Sequence, residues 1–221
     1  MNFCIAIDGP AGAGKSTIAK LLAKKLGFVY VDTGAMYRAM GLYFFQNNLK
    51  TESEEDVGYA CEHADITISY DSNGQIVSLN GVDVTNQIRT ENAGLMASKV
   101  AVVKDIRLKL VELQRKLATK ENVIMDGRDV GTYILPNADL KIYLTASSKE
   151  RANRRYQELL GKGVECDLNQ IEEDIIARDK QDMSREFAPL KQAEDAVLID
   201  SSYLTIDEVV NKMVELYNDR K

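Results

Sequence analysis

The chain opens on a short continuous apolar run, Phe3 to Ile7, of the kind a parallel strand buried on both faces requires. A glycine-rich stretch, Gly9 to Gly14, follows it. From Thr17 to Leu26 the apolar residues Ile18, Leu21, Leu22 and Leu26 recur at helical spacing, and Gly27 stands where a helix C-terminal cap belongs. Phe28 to Val31 is a second apolar run, and Tyr37 to Phe45 reads as another helix. Strand, loop, helix and strand in this order predict a right-handed crossover unit in a parallel sheet.

The pattern changes near residue 62. Ile66, Ile68 and Tyr70 alternate with polar residues, and Ile76 and Leu79 do so more loosely. Asp71-Ser72-Asn73-Gly74 and Asn80-Gly81 punctuate these runs, and Asn-Gly between alternating segments signals a hairpin. Residues 62–89 therefore read as a small antiparallel insert on an α/β core. Helix returns from Val100 to Leu117, Asn122 to Met125 and Leu140 to Leu144 read as short strands, and Ser148 to Leu160 and Leu168 to Met183 as long charged helices. Val197 to Ile199 reads as a last buried strand, and Thr205-Ile206-Asp207-Glu208 has the form of a capping box opening a helix that runs to about Tyr217. The expected organisation is one α/β domain over 1–221, with the insert at 62–89 and a helical region at 148–190.

Composition changes this picture little. The 221 residues are 45% hydrophobic and 28% charged, an ordinary globular balance that argues against disorder. The net charge of −6 sets a duplex nucleic-acid partner aside, although a locally positive site for small anions is compatible with it. Cys4, Cys61 and Cys166 are odd in number and widely spaced, so neither a disulfide framework nor a zinc site is expected. Met1-Asn2-Phe3 lacks a basic segment leading into a long apolar one, and no stretch is long and apolar enough to span a bilayer. A cytoplasmic, monomeric protein with no membrane partner is the expectation. The lone histidine, His63, lies in a polar stretch and is expected at the surface.

The strongest chemical signal is Gly9-Pro10-Ala11-Gly12-Ala13-Gly14-Lys15-Ser16, a complete G-x-x-x-x-G-K-[ST] phosphate loop followed by Thr17. Glycines admit backbone conformations closed to other residues and let the chain approach a phosphate. N–H groups of the loop and of the next helix then face the anion. Lys15 is placed to reach the β- and γ-phosphates, and the Ser16 hydroxyl to hold Mg²⁺. A lysine–phosphate pair at about 4 Å gains roughly 4 kcal/mol at an effective dielectric of 20. Nucleotide binding follows, but the same loop serves GTPases, motors, transporters and kinases.

Further clusters narrow the reaction. Asp32-Thr33-Gly34-Ala35-Met36-Tyr37-Arg38 follows a strand at the end where open α/β sheets bind ligands. Arg38 is placed there to grip a second phosphate, with Thr33 and Tyr37 as polar contacts. Val123-Ile124-Met125-Asp126-Gly127-Arg128-Asp129 is an apolar strand ending in an acid suited to Mg²⁺ or its waters. Arg151, Arg154 and Arg155, then Arg178 and Arg185 with Asp182 between them, form an arginine series. Any one of them alone reads as a solvated helix face, and Glu150 and Glu158 are available as surface partners for the first group. Together with a phosphate loop, the series suggests a lid that closes over a moving phosphoryl group and excludes water.

Gly-Pro-Ala-Gly-Ala-Gly-Lys-Ser-Thr, Asp-Thr-Gly-Ala-Met-Tyr-Arg, Asp-Gly-Arg-Asp-Val-Gly-Thr and the Ala-Pro-Leu around Pro189 together resemble the bacterial cytidylate kinase family, in order along nearly the whole chain. Thr33 departs from the serine common among such sequences, and either supplies a hydroxyl. The resemblance implies a phosphate-loop kinase fold and transfer of the γ-phosphate of ATP, with Mg²⁺, to CMP or dCMP. It implies that Arg38, Arg128 and Arg185 hold the CMP phosphate, that Arg178 and Asp182 meet the ribose, and that Ser98, Arg107 and Asp129 read cytosine. Lys15, Arg151, Arg154 and Arg155 would stabilise the transferring group.

The chemistry of the base agrees. A carboxylate such as Asp129 suits the cytosine amino group, whereas uracil presents an oxygen there, and a mispaired contact of this kind costs about 1–3 kcal/mol. Read from the residues alone, Asp129 also fits a loop turn bonding its own backbone. Other readings stay open at this point: a kinase for a different nucleoside monophosphate or for a hydroxyl metabolite such as shikimate, and a regulatory NTPase or nucleic-acid motor. The insert and the Asp-Gly-Arg-Asp segment count against the first. The lack of an Asn-Lys-x-Asp motif and of a basic stripe counts against the second.

Overall fold

Apolar runs of four to six residues, each closing on a polar residue or glycine, make the strands of the central sheet. In a computed structural model that describes residues 2–71 and 74–221, the order is β1 (Cys4–Asp8), α1 (Lys15–Leu26), β2 (Val29–Asp32), α2 (Thr33–Gln46), α3 (Glu54–His63), β3 (Ile66–Asp71), β4 (Gly74–Leu79), β5 (Val82–Asp83), α4 (Glu91–Val100), α5 (Lys104–Ala118), β6 (Val123–Gly127), β7 (Leu140–Thr145), α6 (Ser148–Gly161), α7 (Leu168–Met183), β8 (Val197–Asp200) and α8 (Ile206–Asn218). The parallel five-stranded sheet has the order β2-β6-β1-β7-β8, and a separate antiparallel sheet has the order β3-β4-β5. Among the described residues, no helix is long and apolar enough to cross a membrane.

The chain divides into two compact units, Met1–Val29 with Glu121–Lys221, and Tyr30–Lys120. In the first, Ile5, Ala6 and Ile7 of β1 are fully buried. α1 turns Ile18, Ala19, Leu22 and Ala23 inward, and α8 turns Val209, Val210, Met213 and Tyr217 inward. Burying each such large side chain stabilises by about 1.5–3 kcal/mol. Tyr217 meets Phe3 and Phe28 edge to face, at 5.0 and 5.6 Å between ring centres. Gly27 ends α1 in the left-handed conformation at φ 69°, and Thr205 and Glu208 form the expected capping box on α8.

Register decides where chemistry can occur in this unit. β1 pairs in parallel with β6 and β7, placing Asp8 level with Gly127 and Tyr143. The loops leaving β1 and β6 therefore emerge side by side at the carboxyl edge, where open α/β sheets bind ligands.

In the second unit, α2 buries Ala35, Met36, Ala39, Met40, Tyr43 and Phe44. A side chain at Gly41 would put its Cβ 2.8 Å from Met96 Cβ, so α2 and α4 touch at their backbones there. The β3–β4 pair has Ile66 opposite Leu79 and Ile68 opposite Val77. Asn80 at φ 50° and Gly81 at φ 80° make the tight turn into β5 that Asn-Gly favours. Of the other expected turn, Ser72 and Asn73 lie outside the described residues.

The elements differ from the sequence reading in several places. α2 starts at Thr33, not Tyr37, because the Asp32 carboxylate caps it by accepting the Ala35 N–H at 2.9 Å. α3 and α4 were not expected. The helix expected from Val100 to Leu117 begins only at Lys104, as α5, after an extended Val103, and Val100 instead ends α4. Branched Val102 and Val103 favour that break, and Arg107 Nη1 seals the end of α4 by donating to Ala101 O at 3.1 Å.

Candidate active site

The phosphate loop is shaped by contacts that only small residues allow. Gly9, at φ 150°, has no room for a side chain, since a Cβ there would lie 1.9 Å from Leu144 O. α1 starts at Lys15 with no side-chain cap among the described residues, so its first N–H groups are available to an anion. Lys15 is 6% exposed, and its ammonium donates to Pro10 O at 2.7 Å. Burial first, and Arg128 second, push its pKa down, while Asp126, Asp8 and Asp182 pull it up. A bound phosphate would add to the upward pull. The Ser16 hydroxyl donates to Asp126 Oδ2 at 2.8 Å. These are two hard oxygen donors side by side, a set that suits Mg²⁺, which binds through one or two protein oxygens plus phosphates and water. Ala13 is buried beneath the loop, and Thr17 is exposed on the first turn of α1.

Asp8 is a site residue that the sequence reading did not single out. Its two carboxylate oxygens accept the N–H groups of Val130 (2.8 Å) and Gly131 (2.7 Å), at the start of a π-helical turn, Val130–Ile134. Burial pushes its pKa up to about 7, against the downward pull of those two N–H groups, with Asp129 adding to the rise. Asp8 thereby fixes the backbone directly after Arg128 and Asp129. Its only sequence signal is its place as the polar end of an apolar strand.

Asp182 gathers two arginines of this unit. Its Oδ2 accepts from Arg128 Nε at 2.9 Å, and its Oδ1 pairs with Arg185. Arg178, one helical turn earlier on α7, adds a further positive charge. Burial raises the Asp182 carboxyl, but Arg128 and Arg185 outweigh it and hold the pKa below the usual carboxylate range. Asp129 is 4% exposed, two residues beyond β6, and its carbonyl accepts the Tyr133 and Ile134 N–H groups.

The arginines of α6 separate into different settings. Arg151 is buried, donates to Ala11 O at 2.8 Å and pairs with Asp179 at 2.6 Å. Arg154 donates to Ser201 Oγ and Ser201 O at 3.2 and 2.6 Å. Arg155 pairs with Glu158 at 2.9 Å on an exposed face, the surface pairing that Glu158 made available. Neither Asp179 nor Ser201 carried a role that spacing alone could reveal, because each acts on a partner remote in sequence.

In the second unit, Asp32 both caps α2 and pairs with Arg38 Nη2 at 2.8 Å. Gln75 from β4 accepts the Asp32 N–H at 2.8 Å. Thr33 is 4% exposed. The buried Arg107 guanidinium lies 5.5 Å from the Tyr37 ring centre, within cation–π range. Ser98, on the last turn of α4, donates to Gly94 O at 3.4 Å. The unit thus brings Tyr37 to Arg107 and Arg38 to Asp32.

Residues 5–219 match the family model described as Cytidylate kinase. A Cytidylate kinase of Caldicellulosiruptor saccharolyticus is 54% identical over 213 residues, 96% of this chain and 94% of that one. A Cytidylate kinase of Carboxydothermus hydrogenoformans is 50% identical over 212 residues, 96% of each chain. An uncharacterized protein from Eubacterium ventriosum shares the fold at 14% identity and a TM-score of 0.56, covering 99% of this chain and 100% of its own. With a phosphate loop, a buried lysine and an arginine cluster held by one acid, the chain belongs to the cytidylate kinase family.

Proposed function

We propose that this enzyme transfers the γ-phosphoryl group of ATP to CMP and dCMP, giving ADP with CDP or dCDP. The observation that carries the reading is the electrostatic neighbourhood of Lys15. The buried ammonium sits on Pro10 O beside the Ser16–Asp126 pair, Asp182 holds Arg128 and Arg185, and the charges of Asp126, Arg128 and Asp182 all act on Lys15. Ser16 and Asp126 would hold Mg²⁺, which when bound neutralises charge on the donor phosphates. Lys15 steadies the β- and γ-phosphate oxygens. Arg128 and Arg185 orient the acceptor phosphate. That acceptor is already an anion at neutral pH, so no side chain has to remove its proton, and catalysis rests on positioning and charge neutralisation. Asp129 supplies the acceptor that the cytosine amino group demands.

The test is ADP release from ATP and Mg²⁺ with CMP, dCMP, UMP, AMP, dTMP or shikimate as acceptor. Turnover should be fastest with CMP and dCMP. Turnover with no acceptor, or with shikimate alone, would overturn the assignment.

A further inference from the structure

Ala11 lies within the phosphate loop, and its peptide groups are gripped on both sides. Its carbonyl accepts from Arg151 Nη1 at 2.8 Å, and its N–H donates to Asp179 Oδ1 at 3.3 Å. The two gripping side chains are themselves joined, Arg151 Nη1 to Asp179 Oδ2, at 2.6 Å. Arg151 is anchored again through Nε, which donates to Ala146 O at 2.9 Å. Both side chains are largely removed from water, Arg151 at 5% and Asp179 at 8% exposure. The next residue, Gly12, has φ 74°, and a Cβ there would lie 3.4 Å from Arg151 Cβ, so the stem of Arg151 runs beside the loop. Loop, α6 and α7 meet at this one residue.

A glycine-rich loop binds phosphate well only if its N–H groups are held in place before the anion arrives, because an ordered site avoids reorganisation on binding. We infer that Asp179 is a positioning residue for the phosphoryl donor: paired with Arg151, it clamps Ala11 and holds the phosphate loop in its anion-receiving shape. Arg151, which its place in the arginine series suggested for the moving phosphoryl group, belongs to this clamp. Each member needs the other, since a buried guanidinium or carboxylate without its partner is an uncompensated charge. The inference rests on the reading of this loop as the ATP site.

The experiment is a double-mutant cycle with Arg151→Ala, Asp179→Ala and the pair together, plus Asp179→Asn. ATP affinity is read by calorimetry, with kcat and KM for both substrates beside it. Circular dichroism and thermal melting establish that each variant is folded. Asp179→Ala should weaken ATP binding by about tenfold or more and raise the ATP KM more than the CMP KM. The double variant should be no weaker than Arg151→Ala, because one unit can be lost only once. Asp179→Asn keeps an oxygen for the Ala11 N–H but loses the charge, and should fall between; it carries the test if Asp179→Ala does not fold. Wild-type ATP affinity in folded Asp179 variants overturns the clamp, as do additive losses in the cycle. A loss of about 100-fold in kcat for Arg151→Ala at unchanged ATP affinity also overturns it, since that marks direct contact with the transferring group. Wild-type protein that binds no ATP overturns the clamp and the donor reading together, which separates the two failures.

Discussion

Lys15 shows how burial and charge set the site at the level of single residues. Its ammonium is held by Pro10 O and surrounded by Asp8, Asp126 and Asp182, with Arg128 opposing them. Replacing it removes positive charge that is already in place as the transition state forms. Lys15→Met should lower kcat by about 100-fold or more, measured in steady-state ADP release. Asp182 gives a pH signature. Its folded pKa lies below the ordinary 3.8, so its stabilising charge is fully present above that value and is lost as pH falls through the depressed one. Asp182→Asn should destabilise by about 3 kcal/mol in urea titrations from pH 5 to 8. The gap to wild type should shrink below about pH 4. A gap that widens on acidification would contradict the ion-pair account. Lys15, Ser16 and Asp126 were legible in the sequence because one contiguous motif and one strand end carry them. Asp8 and Asp179 were not, because their partners, Val130 with Gly131 and Ala11, lie far away along the chain.

Elements were legible where one face is strongly apolar. α1 and α8 bury long side chains at helical spacing, and the capping residues Gly27 and Thr205 mark their limits. α3 buries only Val57 and Ala60, and α4 buries small Ala93 and Ala97 while leaving Leu95 61% exposed, so neither writes a clear periodic pattern. What places α4 is its contact with α2 at Gly41. Gly41→Ala would force the helices apart at Met96 and should destabilise by about 1–3 kcal/mol, read from chemical denaturation. A neutral effect would mean the contact is looser than the 2.8 Å approach implies.

For the molecule as a whole, a net charge of −6 argued against a nucleic-acid polymer, yet Lys15, Arg38, Arg128, Arg151, Arg154, Arg178 and Arg185 supply positive charge from distant segments. Their acidic partners, Asp32, Asp179 and Asp182, hold several of them in place, which whole-chain charge conceals. Base choice belongs to this scale, because cytosine and uracil differ at the edge that a carboxylate such as Asp129 would meet. Asp129→Ala should lower kcat/KM for CMP by more than about tenfold with ATP affinity retained, and lower it less for UMP. Equal losses for CMP and UMP would remove Asp129 from base reading. Phosphoryl transfer to a cytidine monophosphate is read by following label from γ-³²P ATP incubated with CMP, Mg²⁺ and the enzyme. Label should appear in CDP in amounts equal to the ADP formed; label released as free phosphate while CMP stays unchanged would overturn the assignment.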